Sequence, residues 1–123
     1  MKIPEGYQHV MPYLILKGAE DFLIFMTTVF EAKEKMKVKR DESGIMHAEL
    51  VIGDSTIMFA DSTDEFPHQN AGLYIHVENV DQTYQKAIGE GAATIFEPID
   101  KEYGRSAGVK DKWGNTWWIT SGQ

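Results

Sequence analysis

A chain of 123 residues has room for one hydrophobic core and buries roughly two-thirds of the surface its unfolded form exposes. Hydrophobic residues at 42% and charged residues at 25% disfavour disorder, collagen-like repeats and coiled coils. Twelve Lys and Arg against nineteen Asp and Glu give a net charge of −7, the wrong sign for a nucleic-acid partner, and the lack of cysteine excludes disulfides, thiolate nucleophiles and cysteine-type zinc sites.

The first eight residues lack the apolar stretch of a secretory signal, and no run approaches the ~20 apolar residues that cross a bilayer. The expected location is the cytoplasm, with no membrane partner. Residues 10–17 (VMPYLILK) read as a largely buried strand with Pro12 near its start. In residues 18–30 the period changes: Phe22, Phe25, Met26, Val29 and Phe30 recur at helical spacing, with Glu20 and Asp21 in the first turn. Residues 35–39 alternate strictly, and their lysines suit an edge strand. Strands follow at 45–52 and 56–60 around the turn Gly53-Asp54-Ser55.

Residues 62–70 (STDEFPHQN) are polar, contain Pro67 and read as a linker. After it the order repeats: a strand at 73–78, a helix at 79–88 with Asn79 as N-cap, a strand at 93–96, a loop holding Pro98 and Gly104, and strands at 105–110 and 116–120. Sliding the second half by 61 positions aligns Tyr13 with Tyr74, Glu20 with Asp81, and Gly53-Asp54 with Gly114-Asn115. The expectation is one α+β domain of two βαβββ modules, residues 1–61 and 71–123, sharing a curved, mostly antiparallel sheet with helices on its convex side.

Strand periodicity assigns faces. Met46, Ala48, Leu50 and Ile52 should lie under a helix, leaving His47, Glu49 and Val51 opposite. By the same rule Tyr74 and His76 oppose Leu73, Ile75 and Val77, and Trp118 opposes the core residues Trp117 and Ile119. The face away from the helices therefore carries rings and polar groups, as a ligand-binding hollow would.

This arrangement, with the ending Asp111-Lys112-Trp113-Gly114-Asn115-Thr116-Trp117-Trp118-Ile119, resembles the glyoxalase, bleomycin-resistance and extradiol-dioxygenase superfamily, also called vicinal oxygen chelate. Asp111, Gly114 and Asn115 match its closing DPxGN segment; Lys112 replaces the usual proline, and Glu31 stands where the first helix usually ends in glycine. Residues 46–49 and 103–106 look most like the PhnB-like subgroup. The resemblance implies a homodimer, and it implies metal ligands at four cleft positions that correspond here to Met11, Met58, Gly72 and Trp118. Thioether, glycine and indole are not ligands for divalent catalytic ions, so no metal and no other cofactor is expected.

His47 and Glu49 share a strand face and form either a base with its orienting carboxylate or a structural hydrogen-bonded pair. Tyr13, Tyr74, Trp118, His76 and Met58 are candidate contacts for a small, planar or aromatic ligand, and Arg105 for an anionic group on it. The leading expectation is a metal-free protein that binds such a ligand. The rival is a lyase or isomerase using His47, Glu49 and His76 as acid–base groups or as an unconventional metal site.

Overall fold

The apolar residues at 13–16 form strand β1 (Tyr13–Leu16), followed by helix α1 (Ala19–Phe30) and strands β2 (Lys33–Lys39), β3 (Ile45–Ile52) and β4 (Ser55–Asp61). The computed structural model describes residues 1–122. The second set of elements is β5 (Gly72–His76), α2 (Val80–Gly89), β6 (Ala93–Lys101), β7 (Gly104–Lys110) and β8 (Thr116–Ser121). Each set makes its own four-stranded sheet, in the orders β1-β4-β3-β2 and β5-β8-β7-β6. In both, the first pair is parallel and the other two are antiparallel. The protein is thus α+β with two βαβββ modules. The chain separates into two compact units, Met1–Gln69 and a second that begins at Asn70.

Alternation decides what each sheet buries. In the first unit, Leu14, Leu16, Ala48, Leu50, Ile57 and Phe59 are buried together with Phe22, Phe25, Met26 and Val29 of α1. Phe22 meets Phe59 edge to face at 5.3 Å between ring centroids. Each of these Leu, Ile, Phe, Met or Val side chains removed from water stabilises the fold by about 1.5–3 kcal/mol. In the second unit Val80, Tyr84 and Ala87 of α2 lie over the sheet that buries Ala107, Val109, Trp117 and Ile119.

Two boundaries differ from the sequence pattern. Pairing begins at Tyr13 instead of residue 10, because Pro12 has no N–H to donate, although its carbonyl accepts from Met58 N–H at 3.0 Å. The residues before it form a strap instead: Thr56 Oγ1 donates to Gly6 O at 2.7 Å, and the Gln8 amide bonds Thr56 N–H and Asp54 O. Strand β6 runs through Pro98 to Lys101, which is tolerated because β6 is an edge strand whose register slips between Phe96 and Ile99. Residues 62–69 are likewise more than a tether, since Gln69 N–H donates to Ile15 O at 3.0 Å within the first unit.

Carboxylates fasten the chain where elements meet. Asp61 accepts from Gly18 and Ala19 N–H through Oδ1, both at 2.8 Å, and from Ile45 N–H through Oδ2 at 2.7 Å. It supplies the N-terminal cap that Gly18, without a side chain, cannot. At the other end of α1, Glu31 occupies the left-handed region at φ 57°, where a non-glycine residue costs about 1 kcal/mol. Buried Asp111 accepts from Trp113 and Asn115 N–H and from Asn115 Nδ2 and Trp117 Nε1, at 2.9–3.1 Å. Asn115 Oδ1 in turn accepts from Ala71 N–H at 2.9 Å, which ties β5 to the hairpin. Asp111→Ala strands several donors and is expected to lower the unfolding free energy by about 3 kcal/mol. Urea unfolding followed by far-ultraviolet circular dichroism measures this, and a loss below about 1 kcal/mol would refute the clamp.

Candidate functional site

On the face of the first sheet away from α1, the ladder places Tyr13 beside Met58 and Met58 beside Glu49. His47 lies two residues along β3 from Glu49 on the same face. Glu49 is only 3% exposed, and a carboxylate removed from water to that degree needs donors on both oxygens. Tyr7 O–H donates to its Oε1 at 2.7 Å, and His47 Nε2 lies 2.8 Å from its Oε2. The ionised carboxylate only accepts, so Nε2 carries the proton. In the uncharged form of the imidazole, Nδ1 is then the nitrogen left to accept from Tyr13 O–H at 2.9 Å.

The result is one hydrogen-bonded line from exposed Tyr13 through His47 to buried Glu49, closed from below by Tyr7. Burial alone would push the Glu49 carboxyl up, but hydrogen bonds from His47 and Tyr7, with attraction to the imidazolium form of His47 and to Lys35, outweigh it and hold the group below its ordinary range. Desolvation and the Glu49 charge push the Tyr13 phenol up, so it keeps its proton. Lys35 Nζ sits 3.9 Å from the centre of the Tyr7 ring and donates to Gly6 O, fixing the strap over the carboxylate.

Tyr13 also lines a cavity of about 630 Å³ in the first unit. Ile15, Met46, Ala60 and Phe66 give it an apolar wall, and Arg40, Asp61, Thr63 and Glu65 supply the polar positions. Met46 corrects the face expected from simple alternation: it is 52% exposed instead of packed under the helix. Between the pairs Val38 with His47 and Lys39 with Ile45, β3 carries one extra residue, and this bulge turns Met46 to the cavity side. Met58 is half-buried beside Tyr13.

In the second unit Tyr74, His76 and Trp118 are exposed. The Tyr74 and His76 rings meet edge to face at 5.4 Å, and Tyr74 lies opposite Trp118 in the ladder. Arg105 does not join them. It forks onto Asp81 of α2, with Nε to Oδ2 at 2.6 Å and Nη2 to Oδ1 at 3.0 Å, and reaches Asp100 through Nη1 at 2.9 Å. Strand alternation sends it to the helix side, where it serves an ion-pair network instead of a ligand anion.

Sequence reasoning missed Tyr7, Arg40 and Phe66. Tyr7 precedes the first strand and Phe66 is a single ring in a polar stretch, so neither carries a periodic signal. At the positions where the resemblance implies metal ligands, the first unit carries Met11 and Met58 and the second carries Gly72 and Trp118, none of which supplies an imidazole nitrogen or a carboxylate oxygen. Among the described residues no three His, Cys, Asp or Glu side chains gather as a metal site. Both Glu49 oxygens are already engaged.

The depressed Glu49 carboxyl has a stability consequence. The unfolded chain takes up this proton more readily than the folded one, so the contribution is complete above the ordinary carboxylate range and is lost as pH falls through the lower folded value. Glu49→Gln is therefore expected to be less stable than the parent at neutral pH and to lose less on acidification. Unfolding curves collected from neutral pH to about pH 3 measure this, and parallel acid limbs for the two proteins would contradict it.

Residues 6–119 match the Glyoxalase/Bleomycin resistance protein/Dioxygenase superfamily. An uncharacterized protein of Mycobacterium bovis is 26% identical over 118 residues, covering 86% of this chain and 78% of its own length. Among solved structures, TioX from Micromonospora sp. ML1 superimposes with a TM-score of 0.78 at 20% identity, covering 94% of this chain and 99% of its own. The PhnB protein from Bacillus cereus gives 0.72 at 19%, with 93% and 99% covered. The fosfomycin resistance protein FosX from Listeria monocytogenes gives 0.72 at 15%, with 99% and 96% covered. These structural likenesses concern the fold, whereas the match over residues 6–119 fixes the family. The chain belongs to the glyoxalase, bleomycin-resistance and dioxygenase superfamily.

Proposed function

We propose that the protein binds a small, planar or aromatic molecule without the help of a divalent metal ion. The observation that carries this reading is the cavity of about 630 Å³, walled by Tyr13, Ile15, Met46, Ala60 and Phe66 and bordered by a few polar groups. Apolar walls with sparse hydrogen-bonding groups suit a ring that loses most of its hydration on entry. Two aromatic side chains hold such a ring in defined geometry, and flexible Met46 adapts to its outline. In the second unit, Tyr74, His76 and Trp118 offer another ring-bearing face of the same character. The superfamily resemblance extends the proposal to a homodimer, and light scattering measures its mass.

The direct test is a thermal-shift panel of ring compounds, run with protein purified without chelator and analysed for bound elements. A true ligand at a hundredfold excess over its Kd stabilises the fold by about 2.7 kcal/mol, well above the resolution of the method. Phe66→Ala is expected to weaken the best compound about tenfold, since one aromatic contact contributes about 1.4 kcal/mol. Absence of any shift across the panel, or stoichiometric bound zinc, nickel, iron or manganese, would overturn the reading.

A further inference from the structure

The Tyr13–His47–Glu49 line does more than a binding wall requires. A structural pair would be satisfied once His47 had bonded Glu49, yet the second imidazole nitrogen is directed at the hydroxyl of Tyr13, which is 46% exposed and also lines the cavity. We propose that this line is a proton relay, and that the cavity takes a ring-bearing weak acid, a phenol or an enol, and holds it deprotonated. The inference rests on the cavity being the ligand site.

The transfer balances without a co-reactant. The acidic O–H of the ligand donates to Tyr13 Oη, whose own proton points at His47 Nδ1. As the ligand proton passes to Tyr13, the Tyr13 proton passes to Nδ1. The ligand is left as its oxyanion, accepting a hydrogen bond from Tyr13 O–H. His47 becomes an imidazolium whose Nε2–H already points at Glu49. The Glu49 carboxylate accepts from that N–H, so the separated charges are each paired. No tyrosinate need accumulate, in keeping with the upward push on the Tyr13 phenol.

The groups around the relay come from several elements. Glu49 and His47 are on β3, Tyr13 is on β1, Tyr7 is on the strap, and the Lys35 charge of β2 reaches Glu49. Arg40, Asp61 and Glu65 border the cavity itself. Arg40 is held by the Asp61 carbonyl at 3.0 Å, and the Asp61 carboxylate is consumed by three backbone N–H groups. Glu49 is a positioning residue here, and Tyr13 is the group that touches the ligand.

The test uses 4-nitrophenol, whose phenolate absorbs visible light and whose phenol does not. At a pH below the midpoint of the free dye, titration with the protein is expected to raise the phenolate-to-phenol ratio of the bound dye about tenfold over that of the free dye. Tyr13→Phe and His47→Gln are expected to remove that rise, and Glu49→Gln to reduce it. His9→Gln, at an exposed position outside the relay, is expected to keep it. Tyr13→Phe removes only an exposed hydroxyl, so the experiment does not depend on the more buried variants folding.

Dye that binds with the protonation ratio of free dye overturns the relay and leaves the binding site standing. So does a rise that survives in both Tyr13→Phe and His47→Gln. Failure of the dye to bind, while other ring compounds of the panel do, overturns the weak-acid assignment alone. Silence across the whole panel removes the proposed function and this inference together.

Discussion

A carboxylate sealed into a sheet is the constraint from which the first unit's site follows. Glu49 is almost fully buried on a face that also carries Met58 and Tyr13, and nothing apolar can satisfy it. Its two oxygens recruit Tyr7 from a segment 42 residues away and His47 from its own strand. Those bonds then fix the strap, the imidazole tautomer and the direction of the Tyr13 hydroxyl. An apolar residue at this position would leave the Tyr7 hydroxyl and His47 Nε2 without these acceptors.

The scaffold under this site is built from a simpler rule. Each sheet gives one face to its own helix, and strand alternation leaves the opposite face unassigned by the core. Asp61 and Asp111 then fasten chain ends that the hydrophobic core does not define, the first by capping α1 and the second by gathering the hairpin before β8. No buried side-chain polar atom lacks a partner among the described residues, so these carboxylates stand within a fully satisfied network. The core can therefore stay fixed while residues such as Tyr13, Met46 and Trp118 vary.

Periodicity made the elements legible where they lay apolar residues on a committed side, as α1, β1 and β8 do. The internal repeat made the topology legible through its order of elements. His47 and Glu49 could be paired from their spacing, and Tyr13 placed on their face, since both follow from a period of two. The bulge that turns Met46 outward was not legible, because an extra residue in a ladder leaves no mark in an otherwise apolar run. Arg105 misled for another reason: its partners Asp81 and Asp100 lie 24 and 5 residues away, and only tertiary pairing brings them together. Tyr7 was invisible as a site residue because its role depends on a contact across much of the first unit, with no periodic neighbour to announce it.

The two modules share strand order and parallel first pairs but not their furnishings. Tyr13 corresponds to Tyr74 in the internal repeat, yet the first is wired to an imidazole and through it to a carboxylate, while the second meets His76 edge to face and lies opposite Trp118 in the ladder. A half that keeps its core can carry a different chemistry on the opposite face. One copy can then specialise in acid–base character and the other in ring surface, so divergence between the halves need not weaken either framework.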